Sequence, residues 1–278
     1  MRVKNMKSFG LLCLSIILLL GFMSLASSGG SATPENKTLM QPQGVQNMAT
    51  TNATNIVLVH GLWADGSSWS KVIPILQNAG HKVIAVQLPA HSLADDVETI
   101  KRAIELAGGP TIVVGHSYGG FEITNAAYNN QNVTGLVYVA AFAPDEGESS
   151  ENFVDVSKFP PGLLVPDSGG FLYLNPKMFH GAFIQDANAT EAEILAAVQK
   201  PAHQSLIAEK SGPPAWKQLP TWFAVSENDH IIPPDAQRNF AKRMNATTIS
   251  LNSSHASLVT HPDEIAELIL NATKGVTK

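Results

Sequence analysis

The sequence predicts an α/β fold built on a parallel sheet, and three observations carry that prediction. From residue 55 onward, short β-branched runs alternate with stretches of helical periodicity. The runs are apolar almost throughout, as strands covered on both faces must be. Punctuation falls where helices start and stop, with Pro234 and Pro262 at first helical positions and Gly80 and Gly108 at ends. Strands joined in this way through helices cross over right-handed and lie parallel.

Taken in order, the expected strands are Asn55–Val59, Lys82–Leu88, Thr111–Val114, Thr134–Ala140, Thr221–Val225 and Thr247–Leu251. The helices between and after them are Ser68–Ala79, Ala94–Leu106, Tyr118–Asn129, Pro234–Met244 and Pro262–Leu270. One stretch breaks the rhythm. Residues 145–218 hold several Pro and Gly and no strong strand. A helix is expected there over Thr190–Gln199, with Thr190 as its N-cap and Glu191 and Glu193 in its first turn. The division is therefore a core of residues 55–144 and 219–278, with a cap or lid of residues 145–218 inserted before the last two strands.

Composition narrows the function. The 278-residue chain is 44% apolar and 15% charged, which excludes disordered, collagen-like and coiled-coil classes. Its 18 basic and 23 acidic residues give a net charge of −5, not the footprint of a nucleic-acid binder. Cys13 stands alone, so neither a disulfide framework nor a thiolate metal cluster is available. No His-x-His-x-Asp-His or His-Glu-x-x-His pattern occurs, and no metal is expected. Residues 1–26 read as a signal peptide or N-terminal anchor: Arg2, Lys4 and Lys7, an apolar run from Phe9 to Met23, then the small residues of Ser24-Leu25-Ala26. The polar residues 27–54 read as a flexible tether. The expected location is outside the cytoplasm, secreted or associated with the cell envelope, with membrane contact only through an uncleaved N-terminal segment.

The sharpest chemical signal is Gly115-His116-Ser117-Tyr118-Gly119-Gly120, which follows an apolar strand and opens a helix. A serine on so tight a strand-to-helix turn has an exposed Oγ and needs small neighbours, here Gly115 and Gly119. The helix N-terminus beneath it offers free N–H groups to a developing oxyanion. A serine nucleophile requires a base and a group to orient that base. Among nine histidines, His255 lies just past the last strand and before the last helix, at the edge where Ser117 emerges. His116 sits within the turn itself and should point away, and His60 shapes the loop after the first strand. Asp229 ends the preceding strand at the same edge and can accept from the imidazole; Asp145 is a second candidate acid. The oxyanion donors expected are the backbone amides of Tyr118 and of Leu62, with Gly61 letting the His60-Gly61-Leu62 loop turn sharply. Trp63 and Trp69 read as packing residues or as pocket walls, with the pocket favoured for Trp63 alone.

Together these residues resemble the α/β-hydrolase superfamily over residues 55–272. Val57-Leu58-Val59-His60-Gly61 with Trp69 downstream, Ala79-Gly80-His81-Lys82-Val83, Gly115–Gly120, Asp229-x-x-Ile232-Pro233 and Ser254-His255-Ala256 are most similar to a small bacterial esterase-like branch, related to plant methylesterases and hydroxynitrile lyases. The resemblance implies an open six-stranded sheet flanked by helices, a helical cap and no cofactor. It carries Ser117, Asp229 and His255 over as a triad, in that superfamily's chain order, and Leu62 and Tyr118 as oxyanion donors. The expected activity is hydrolysis of a small-molecule ester. Two alternatives stay open: hydroxynitrile lyase chemistry, which wants a cation such as Lys177, Lys200, Lys210 or Lys217 near the leaving cyanide, and ligand binding without turnover.

Overall fold

The computed structural model describes residues 55–275. The signal or anchor expected over 1–26 and the tether over 27–54 lie outside the described residues.

The main sheet is formed by β1 (Asn55–Val59), β2 (Val83–Ala85), β3 (Thr111–His116), β4 (Val133–Val139), and two strands beyond the cap. The cap supplies β5 (Leu164–Pro166), β6 (Phe171–Leu174) and β7 (Ala202–His203), after which β8 (Thr221–Ser226) and β9 (Thr247–Leu251) complete the main sheet. The helices are α1 (Val72–Asn78), α2 (Leu93–Ala107), α3 (Tyr118–Ala126), α4 (Pro176–Phe183), α5 (Ala189–Val198), α6 (Pro234–Arg243), α7 (Ser257–Thr260) and α8 (Pro262–Gly275). The order across the sheet is β2-β1-β3-β4-β8-β9, and every pairing is parallel. Strands β1, β3 and β8 are buried along their whole length, as their unbroken apolar runs require.

That order places the site. The chain leaves β1 toward β2 on one side and returns to β3 on the other, so the connections after β1 and β3 diverge and open a crevice at the strands' carboxyl ends. Val59 pairs with Gly115, which sets His60 and His116 side by side as the two chains leave the sheet. On the other flank Ser226 pairs with Leu251, and the loops carrying Asp229 and His255 start together.

Three local expectations change. The second strand covers only three of the residues expected, because its pairing with β1 stops at Ala85. The first helix begins as a 3-10 turn over Gly66–Trp69, capped by Asp65, and becomes α-helical only at Val72. Helix α5 is capped by Asn188, whose side chain accepts from Glu191 N–H, rather than by Thr190. The cap also holds a three-stranded antiparallel sheet, β5-β6-β7, beside its helices. Its strands are two to four residues long and only partly buried, too short for a period-two pattern to stand out in sequence.

Candidate active site

Ser117 links β3 to α3 with φ 56° and ψ −124°, a left-handed backbone for a residue with a Cβ. The surroundings hold it there: Ser117 N–H donates to Val139 O at 3.1 Å, and Phe142 N–H donates to Ser117 O at 3.1 Å. The turn also interlocks with the loop after β1. A Cβ on Gly119 would lie 2.8 Å from the carbonyl oxygens of Val59 and His60, and one on Gly61 would lie 2.5 Å from Ser117 Cβ and 3.0 Å from its Oγ. Gly115 is equally confined, 2.5 Å from Gly119 O. The small residues named by the motif are therefore required by contact between two loops as well as by the turn.

His60 fixes the loop between them. It is buried and held at both ring nitrogens: Nδ1–H donates to Gly61 O at 2.8 Å, and Nε2 accepts from Leu88 N–H at 3.1 Å. Burial lowers its pKa and keeps the ring neutral, as this pairing requires. Because the peptide is planar and trans, a Gly61 carbonyl turned toward His60 turns the Leu62 N–H the opposite way. Neither that N–H nor that of Tyr118 is spent on a hydrogen bond among the described residues.

Asp229 and His255 meet in a fully buried bond, Nδ1–H to Oδ2 at 2.7 Å. The carboxylate also accepts Ile231 N–H and Ile232 N–H on Oδ1, at 2.7 and 2.9 Å, and Gln237 Nε2 on Oδ2 at 2.8 Å. With Nδ1 donating, His255 holds its lone pair on Nε2, the tautomer of a general base. Nε2 is buried without a hydrogen-bond partner among the described residues, and no hydrogen bond joins it to Ser117 Oγ. Such bonds often tighten only once substrate is present. His116, beside Ser117, packs its ring 4.8 Å from that of His255 and donates Nε2–H to the His255 carbonyl at 2.9 Å. Burial, reinforced by His255 nearby, drives the His116 pKa well below the ordinary range, so it is a neutral support.

Asp145 takes no part. It pairs with Lys217 on the surface at 2.5 Å. Glu227 pairs with Arg238, and His230 donates Nδ1–H to Gly181 O at 3.1 Å. Gln237 is the hydrogen-bond partner of Asp229 that sequence reasoning missed. Its signal was a polar residue on the apolar stripe of α6, in line with Phe240 and Ala241. Asp186 in the cap was missed too: its Oδ2 accepts Ser254 N–H at 2.9 Å and Thr260 Oγ1–H at 3.0 Å, bracing the His255 loop.

A cavity of about 40 Å³ opens beside Ser117, walled by Leu62, Trp63, Tyr118, Phe142, Phe159 and Ile231 among others. Among the described residues no charged side chain lines it. None of the four lysines considered for a lyase is among its lining residues; Lys217 pairs with Asp145, Lys210 donates to Gly147 O, and Lys200 lies close enough to His60 to lower its pKa. The cap bonds to each loop of the site: Trp63 Nε1–H to Leu172 O at 3.0 Å, Tyr118 O–H to Leu206 O at 2.8 Å, and Gln185 Nε2–H to Asn228 O at 2.6 Å. Among the described residues no cluster of His, Cys, Asp or Glu could hold a metal ion, and no helix is long and apolar enough to cross a membrane.

Known proteins similar to this chain include hydrolases and esterases. The chain is 27% identical over 247 residues to a pyrethroid hydrolase of Sphingobium wenxiniae, covering 78% of this chain and 86% of the relative. It is 23% identical over 249 residues to polyneuridine aldehyde esterase of Rauvolfia serpentina, covering 78% and 94%. An extracellular alpha/beta-hydrolase from a Paenibacillus species shares its fold, with a TM-score of 0.68 at 21% identity over 79% of this chain and 98% of that one. The model of the alpha/beta hydrolase family matches residues 56–268. The chain is an enzyme of the alpha/beta hydrolase family.

Proposed function

We propose that the protein hydrolyses carboxylic esters of small molecules through Ser117, His255 and Asp229, by way of an acyl-enzyme. The observation that carries this reading is the buried Asp229–His255 bond, which leaves the Nε2 lone pair unspent at the rim where Ser117 turns out of β3. The named relatives, a hydrolase and an esterase, support an ester as the bond cleaved.

In the first half-reaction His255 Nε2 takes the Ser117 hydroxyl proton while Oγ bonds to the ester carbonyl carbon. The negative charge passes to the carbonyl oxygen, opposite the Leu62 and Tyr118 N–H groups, the oxyanion donors in this reading. The carbon–oxygen bond to the alcohol then breaks, and Nε2–H protonates the leaving alkoxide. In the second half a water gives its proton to Nε2 and its hydroxyl to the acyl carbon; Oγ leaves and recovers the proton, releasing the acid. Asp229 keeps the imidazole in the Nδ1–H tautomer and offsets its charge in both halves. An uncharged pocket suits a neutral ester and offers nothing to a departing cyanide. We place the enzyme outside the cytoplasm on the export-like pattern of residues 1–26.

The test is p-nitrophenyl acetate turnover with fluorophosphonate labelling. The wild-type protein should be labelled and active, and Ser117→Ala should lose labelling and at least about 10³-fold in kcat. A Ser117→Ala protein with undiminished turnover would overturn the assignment.

A further inference from the structure

We infer that Trp63 sets the size of the alcohol arm that the ester can carry, by closing the catalytic pocket off from a groove that runs to the surface under α5. The inference rests on the ester-hydrolase reading above.

Trp63 is buried to 6% exposure with φ 60°, a left-handed conformation rarely taken by a bulky residue, and its indole N–H is fastened to Leu172 O in the cap. It forms part of the wall of the 40 Å³ cavity beside Ser117. It also walls a second, apolar cavity of about 10 Å³, together with His116, Phe179, Phe183, Ala256 and Leu258. That second cavity shares Ser68, Leu195, Val198 and Val259 with an open groove of about 510 Å³ between the 3-10 turn at Gly66–Trp69 and helix α5. Ile194 and Val198 on the groove are 58% and 43% exposed. Trp63 is the residue common to the walls of the two small cavities, and the groove beyond them is lined by Ile194, Leu195 and Val198 as well as by polar residues such as Lys71 and Glu191.

The chemistry decides which half of the ester faces that path. The alcohol must leave on the flank of the imidazole that protonates it. The rings packed on His255 are His116 and Phe183, at 4.8 and 4.9 Å, and both line the second cavity. In this inference the alcohol points toward Trp63 and the groove, and the acyl group toward Phe142, Val154, Phe159 and Ile231. With Trp63 in place the alcohol arm is held short. With it removed, a long apolar alcohol could pass Leu195 and Val198 to the surface.

The experiment compares two ester series, acetates of methanol through octanol followed by pH-stat, and p-nitrophenyl esters of acetate through octanoate. Trp63→Gly suits the left-handed backbone, and Trp63→Phe is the milder companion should the first fail to fold. The expected result is a rise of about tenfold or more in the octyl-to-methyl acetate ratio of kcat/KM for Trp63→Gly, and a smaller rise for Trp63→Phe. The octanoate-to-acetate ratio should move less than about threefold. Adding Val198→Trp, in the groove and remote from the machinery, should return the alcohol ratio toward the wild-type value. An unchanged alcohol ratio, a shift confined to the acyl series, or no reversal by Val198→Trp would each overturn the inference while leaving ester hydrolysis intact. A wild-type protein that neither labels nor turns over any ester would instead remove the reading beneath it.

Discussion

Asp229 and the pair Asp96 and Glu122 are buried to a similar depth, 5%, 0% and 1% exposed, yet they meet opposite surroundings. Asp229 receives four N–H donors from Ile231, Ile232, Gln237 and His255. Asp96 receives one, from Ala90 N–H at 2.8 Å, and its other oxygen has none. Among the described residues no N–H or O–H reaches either oxygen of Glu122 unless the Asp96–Glu122 contact itself carries a proton. Burial pushes Asp96 up to about 6 and Glu122 well above the usual carboxylate range. Depth alone does not decide whether a buried acid carries charge. The donors around it do, and only the Asp229 cluster is built to hold an anion beside an imidazolium.

The largest effect that would break this contrast comes from Asp229→Asn. The amide keeps the shape but sets an N–H against His255 Nδ1, favouring the tautomer whose Nε2 is protonated. kcat on p-nitrophenyl acetate should fall on the order of 10³–10⁴-fold at neutral pH, with KM little changed. A loss below about tenfold would mean that the bond seen here does not orient the base. Gln237→Met sharpens the same side. It removes a donor from Asp229 and leaves Ser226 N–H without its acceptor, which Gln237 Oε1 supplies at 3.0 Å. About a tenfold drop in kcat and roughly 1–3 kcal/mol of stability should follow, the latter read by urea denaturation.

The two clusters also differ in how far the sequence exposed them. Asp229 was legible because its position after β8 and that of His255 after β9 follow from strand order, and parallel strands end at one edge. Ser117 was legible from its glycines. Asp96 and Glu122 were not. Asp95-Asp96 reads as two acids in the first turn of a helix, yet only Asp95 faces solvent, with Ser92 as its partner. Glu122 sits on α3 among residues that are buried on every side, where neither period nor spacing sets one acid apart. The cap's small sheet escaped for a related reason: its register depends on pairing between segments roughly 30 residues apart, which local patterning does not encode.

The smallest expected effect on turnover belongs to the acid pair, and it appears in stability against pH. Both groups have folded pKa values above their unfolded ones, so the stabilisation from keeping them protonated is fully present below about pH 4. It is lost as pH rises through about 6 for Asp96, and higher still for Glu122. Asp95 raises the Asp96 value further and Lys200 opposes it, but burial is the dominant cause. For Asp96 alone the shift corresponds to roughly 3 kcal/mol between pH 4 and pH 8. Replacing both acids, as Asp96→Asn with Glu122→Gln, keeps the shapes and supplies the shared donor from an amide. Neither residue borders the pocket beside Ser117, so kcat at pH 6 should stay within about threefold of the wild type. Thermal melts of the two proteins should coincide near pH 4 and separate by roughly 6–12 °C at pH 8, the variant being the more stable. Curves that remain parallel from pH 4 to 9 would show that the pair does not titrate there, and that the two buried clusters are alike in charge after all.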